Sequence, residues 1–165
     1  TGGNNSYNRI TEIGMVKLVG GKEVDRYQTL LNPQRRIPSS ITRLTGISDD
    51  MVADAPLFAE VADHIASFTE DAVFVAHNVN FDYGFIKQEF ARLEQPFRRP
   101  KMCTVREMRR THPGLSSYSL ANLTKHFHID MEQHHRALSD AKAAAELLKL
   151  AFEKDDEGFS VGDNV

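Results

Sequence analysis

Cysteine occurs once, at Cys103. No internal disulfide can form, and a structural zinc site, which usually draws on several thiolates, is disfavoured. A single thiol also suits a reducing, cytoplasmic compartment. No apolar run approaches the roughly 20 residues that span a bilayer. There is no basic-then-apolar leader, so neither a membrane partner nor secretion is expected. Positive charge is not in excess: 20 Lys and Arg stand against 23 Asp and Glu, a net charge of -3. That excludes a protein that coats nucleic acid through general electrostatics, but not an enzyme that grips a few phosphates locally. Internal repeats and long low-complexity tracts are also missing. The remainder is ordinary: 165 residues, 41% hydrophobic and 26% charged, enough for one domain with a core.

The chain is organised around the strand Val73 to Ala76, which ends abruptly in His77, Asn78 and Asn80, with Phe81 and Asp82 opening a helical segment. Open α/β sheets place their chemistry at such strand-to-helix junctions. Before it, Arg9 to Val19 and Val24 to Leu31 read as strands of an antiparallel hairpin turning at Gly20-Gly21. Pro38-Ser39-Ser40 reads as a helix start, Leu44 to Ile47 as a turn, Ser48-Asp49-Asp50 as a possible helix cap, and Leu57 to Phe68 as an amphipathic helix. After it come a helix over Phe81 to about Leu93, a short strand over Met102 to Val105, and helices over Ser119 to Phe127 and Ala137 to Phe152. This order predicts an α/β domain over 1–153, with a mixed sheet flanked by helices. Residues 154–165 have the composition of an acidic tail or linker.

Two carboxylates fall on inward helix faces. Asp82 lies three and four positions before Phe85 and Ile86, and Asp140 lies between Ala137 and Ala144 on the last helix. Buried carboxylates need cations, and a divalent metal is the economical choice. His135 precedes Asp140 by five residues, about 140° apart on a regular helix, so it must stand in the loop or first turn to share a site. There it is suited to take a proton from an attacking water. Singly, each residue reads more simply: an Asp opening a helix as a cap or dipole partner, a lone His as surface.

V-A-H-N-V-N-F-D-Y-G-F (Val75 to Phe85), H-R-A-L-S-D (His135 to Asp140), L-T-G-I (Leu44 to Ile47) and Y-S-L-A-N-L (Tyr118 to Leu123) lie in this order along the chain. Together they resemble the 3′→5′ exonucleases with four acidic residues and a histidine, typified by the epsilon proofreading subunit of bacterial replicative polymerases. The resemblance spans Thr1 to about Phe152. It implies a ribonuclease-H-like fold and hydrolysis of phosphodiester bonds with two Mg²⁺ or Mn²⁺ ions about 4 Å apart. Asp82 and Asp140 would be metal ligands and His135 the general base. Asn78 would position the nucleotide, and Thr1, Gly2 and the Leu44–Ile47 loop with Thr45 would border the terminal nucleotide. Phe81 is a further substrate-side candidate, although its fit to the helix's inward face favours a place in the core. Partners would be single-stranded DNA or RNA 3′ ends, with a polymerase or second nuclease module tethered nearby.

The family's first motif, Asp-x-Glu-Thr-Thr-Gly, is matched only in its final residues by Thr1-Gly2-Gly3. Its two acidic residues and the central strand that carries them would lie upstream. The expectation is an incomplete metal site and little nuclease activity, with Glu12 a structural strand residue rather than a substitute ligand. Arg98, Arg99, Lys101, Arg106, Arg109 and Arg110 read equally as a guide for single strands or as a solvated face. His126, His128 and His134 read as surface residues, and Cys103 as buried and inert. Beside a DNA exonuclease, two alternatives stand: an exoribonuclease trimming RNA 3′ ends, and a catalytically silent binding module.

Overall fold

The computed structural model describes residues 8–162, with side chains described through Asp156; Thr1 and Gly2 lie outside the described residues. The chain opens on a hairpin, β1 (Glu12–Val19) and β2 (Lys22–Leu30), paired antiparallel from Glu12↔Leu30 to Val19↔Lys22. Gly20 and Gly21 turn it with φ of 59° and 79°, the left-handed pair that a right-twisting two-residue turn demands. α1 (Ser39–Thr45), α2 (Asp49–Val52) and α3 (Phe58–Phe68) follow. Ser48 sits at the N-cap of α2 without a capping side-chain bond, and Asp49 instead accepts the Ile37 N–H at 2.8 Å, stitching the loop to the helix. Then come β3 (Phe74–Ala76), α4 (Val79–Arg92), β4 (Lys101–Cys103), α5 (Thr104–Thr111), α6 (Leu120–His126) and α7 (Ala137–Gly162). β4 lies parallel to β3, Phe74↔Lys101 to Ala76↔Cys103.

One hydrophobic core joins β1 and the strand entering it to α3 and α4 through Ile10, Ile13, Ile65, Phe85 and Phe90. A second lies under α5, α6 and α7, around Met108, Leu123, Leu147 and Ala151. The fully buried Glu89 pins the chain ahead of β1 to α4: it accepts from Arg9 at 2.6 and 3.1 Å and from Arg92 at 2.9 Å. Removing one partner of a buried ion pair typically costs 3–5 kcal/mol. The two arginines keep some solvent exposure, 17% and 22%, so Glu89→Ala is expected to lose about 2–3 kcal/mol. Urea unfolding with an unchanged slope would show it; a loss below about 0.5 kcal/mol would contradict it.

The strands are those of the expected mixed sheet without its central strand, one pair antiparallel and one parallel. Among the described residues the four strands form two separate two-stranded sheets, β1–β2 and β3–β4. β1 and β3 both line one cavity of about 1180 Å³, with no strand of the described residues bridging them. Element boundaries also differ from expectation. The strand over Met102 to Val105 stops at Cys103, and Thr104–Thr111 is helical, a segment so polar that only Met108 and two threonines are buried. α7 runs on past Phe152 through Gly162, so the acidic segment 154–162 continues the helix.

Candidate active site

α4 begins immediately beyond the C-terminal end of β3. Asn78 makes the corner in the left-handed region, φ 70°, without capping the helix by its side chain. Asp82 then falls in the first turn of α4, facing the cavity rather than capping the helix. Burial raises its pKa from 3.8 to about 6, and the negative charge of Asp140 adds to the rise. Asp140 occupies the first turn of α7 and lines the same cavity. Burial pushes its pKa up as well, opposed first by the charge of nearby His135, then by the His135 backbone N–H and the charge of His134, all of which favour the carboxylate. Neither aspartate has a salt-bridge partner among the described residues.

His135 stands just outside α7, exposed, with φ 62°. This is the placement that the five-residue spacing demands, and the histidine shares the cavity with both aspartates. Thr45 borders the cavity from α1, but its hydroxyl is committed, donating to the Ile41 carbonyl at 2.8 Å and accepting the Ile47 N–H at 3.1 Å. It shapes the Leu44–Ile47 turn and leaves Leu44 exposed at the rim. Phe81 is not core: it is 38% exposed, edge-on to Phe85 at 5.2 Å, and lines the cavity beside Asp82. Asn78 is exposed at the same corner.

His77 is a residue that the sequence reading passed over. Its Nδ1 lies 2.8 Å from Thr104 Oγ1 and its Nε2 2.7 Å from the Tyr118 carbonyl, tying β3 to α5 and to the loop before α6. Burial lowers its pKa, so the neutral ring that fits these partners is favoured. The run of polar residues ending β3 was the available signal. Cys103 is half-buried rather than buried. Burial pushes its thiol up, but the surrounding backbone N–H groups, that of Arg106 foremost, outweigh this and lower its pKa.

The basic cluster does not form one open face. Arg99 is spent on the Thr69 and Ala66 carbonyls and lies over Phe97, and Arg110 bridges Glu107 and Asp155. His126, His128 and His134 are exposed, as expected.

Two carboxylates that face one cavity with no salt-bridge partner among the described residues are a site short of positive charge, and a divalent cation fits that deficit. Among the described residues no cluster of three or more His, Cys, Asp or Glu could complete its ligand set. Glu12 is no substitute, because Arg136 and the Ala137 N–H occupy its carboxylate. What fits is half of a metal site.

The scaffold is α/β, and the two carboxylates and the exposed histidine that line its one large cavity are a set of side chains suited to hydrolysis. Residues 1–148 match the family model described as Exonuclease (RNase_T), and the chain belongs to that family. It is a 3′→5′ exonuclease domain with a ribonuclease-H-like fold. The chain is 40% identical over 163 residues to a DNA polymerase III PolC-type protein of Clostridium perfringens, covering 99% of this chain and 11% of that protein. It is 38% identical over 156 residues to the 3′-5′ exonuclease DinG of Staphylococcus epidermidis, covering 93% of this chain and 17% of the relative. The chain thus spans between a tenth and a fifth of these relatives. Exonuclease X, solved with 5′ overhanging duplex DNA, superposes with a TM-score of 0.73 at 30% identity, over 87% of this chain and 82% of that one. E. coli Exonuclease I, solved with a dT13 oligonucleotide, gives a TM-score of 0.85 at 18% identity over 97% and 40%, a likeness of fold alone. Among the described residues no helix is long and apolar enough to cross a membrane.

Proposed function

We propose that this domain removes nucleotides from DNA 3′ ends in a metal-dependent reaction, releasing nucleoside 5′-monophosphates, in proofreading or repair beside a polymerase or nuclease module. The observation that carries the reading is the pair Asp82 and Asp140, both raised in pKa by burial and sharing one cavity with the exposed His135. Bound Mg²⁺ or Mn²⁺ would supply charge stabilisation at the scissile phosphate. Asp82 and Asp140 would hold the ions, and His135, free to move at the rim, would accept the proton of the attacking water. Phe81, Leu44 and Asn78 border the place where a terminal nucleotide would lie, two of them apolar surfaces on which a base can stack.

The cavity between β1 and β3 fits an extended strand. DNA is favoured over RNA by the named roles of the relatives most similar in sequence and by the DNA in the Exonuclease X complex.

The polypeptide beginning at Thr1 is expected to release little or no monophosphate from a 3′-labelled oligonucleotide with Mn²⁺. Joined to an upstream strand bearing Asp-x-Glu, it releases nucleotides from DNA faster than from RNA. Mn²⁺-dependent release by the Thr1 form, lost on Asp82→Ala, would sink the incomplete-site proposal. A faster rate on RNA would favour the exoribonuclease alternative, and no release by the completed form the silent module.

A further inference from the structure

Glu12 spends its carboxylate on the two residues that follow His135. Arg136 donates to it through Nε at 3.1 Å and Nη2 at 2.9 Å, and the Ala137 backbone N–H donates at 2.9 Å. The Glu12 side chain is only 4% exposed and that of Arg136 21%, so water screens the pair weakly. The Ala137 N–H is one of the donors that a helix start leaves unsatisfied. An N-cap Ser or Asp would answer the N–H of the second or third residue and not this first one, and Arg136, which occupies the N-cap, has no acceptor to offer in any case. Glu12 supplies the acceptor from another element, 125 residues away in sequence.

The consequence reaches both neighbours. The Arg136 carbonyl accepts the Asp140 N–H at 3.0 Å, so fixing Arg136 fixes the turn that carries Asp140. On the other side His135 sits at φ 62°, a conformation that costs a non-glycine residue on the order of 1 kcal/mol and persists only where its surroundings impose it. We propose that Glu12 and Arg136 form a latch that positions His135 and Asp140 against Asp82, Glu12 being a positioning residue that touches neither substrate nor metal. This rests on the exonuclease reading of the same site.

The test uses Glu12→Gln, Arg136→Gln and the double variant in the intact natural polypeptide. Each single change is expected to lower kcat on a 3′-labelled oligonucleotide by about 10–100-fold with KM unchanged, the range seen when partners supporting a ligand are lost. The double variant loses no more than the worse single, as members of one unit do. Arg136→Lys, which keeps the charge and is the gentlest change for folding, loses less in the same direction. In the metal-free protein, NMR signals of the His135 ring and the Asp140 amide shift together in both single variants, a readout independent of activity. Unmoved signals overturn the latch, as does a lower Tm with kcat intact or losses that multiply in the double variant. Absence of any nucleotide release by the unmodified polypeptide overturns the exonuclease reading instead, and the NMR comparison still judges the latch.

Discussion

Replacing Asp82 with asparagine is expected to abolish nucleotide release by the form joined to the Asp-x-Glu strand, while making the metal-free protein more stable. The folded-state pKa of about 6 lies above the ordinary 3.8, so the native state binds this proton more tightly than the unfolded chain does. Metal-free stability therefore falls as pH rises from about 4 to 6, and above that range the full cost of an ionised, buried carboxylate is present. Asparagine carries no charge at any pH and removes that slope. Allowing for partial solvent access, the gain at pH 7 to 8 is about 2 kcal/mol, or a few degrees in Tm. Divalent metal should reverse the order, raising the Tm of the unmodified protein and leaving the variant where it was. The loss of release should exceed about a hundredfold, the upper end of what even indirect supporters of a ligand cost. Thermal scans at pH 4, 6 and 8 with and without Mn²⁺ check the stability half. A variant that is less stable at pH 8 without metal would show that Asp82 is a structural residue.

The same electrostatics explain what the sequence could reveal. Asp82 and Asp140 announced themselves because each stands at helical spacing from an apolar stripe, where a carboxylate has no reason to be unless something compensates it. His135 was placed outside α7 by arithmetic alone, and its φ of 62° agrees. The hairpin was legible because Gly20-Gly21 is among the few pairs that make so tight a turn. Phe81 was less decidable: its spacing fits an inward face, yet it stands 38% exposed at the cavity rim.

Two readings went astray for one reason. α5 has only Val105 and Met108 as apolar residues, too few to be seen as a helix, and the chain beyond Phe152 reads by composition as a solvated tail. In the fold they support each other, with Arg110 donating to both carboxylate oxygens of Asp155 at 2.8 Å. A pairing across 45 residues leaves no local trace. The same holds for Glu12, whose structural reading was correct but whose partner lies 124 residues on. The sheet is a different matter. Its elements were legible one by one, while their division into two pairs is decided by what stands, or does not, between β1 and β3.

Gly14→Ala is expected to cost the most stability of any single methyl added to β1. Gly14 is there for close approach, since a Cβ would stand 2.3 Å from the Leu138 nitrogen, 2.5 Å from the Ala137 carbonyl carbon and 2.6 Å from the Leu138 Cα. All three are backbone atoms, so no side chain can swing aside, and the start of α7 must lift off the strand. Overpacking usually costs 1–3 kcal/mol; with a backbone in the way, about 3 kcal/mol or more is expected, a fall in Tm on the order of 6–12 °C. The lift carries Asp140 away from Asp82 and strains the Glu12–Arg136 contact, so nucleotide release should fall further than the unfolded fraction explains. Leu138→Ala in the same molecule should give no rescue, because the obstacle is the peptide and not the leucine side chain. Urea unfolding of the single and double variants reads both statements. A Gly14→Ala protein within about 0.5 kcal/mol of the parent would mean that β1 and α7 have room to part without losing the site.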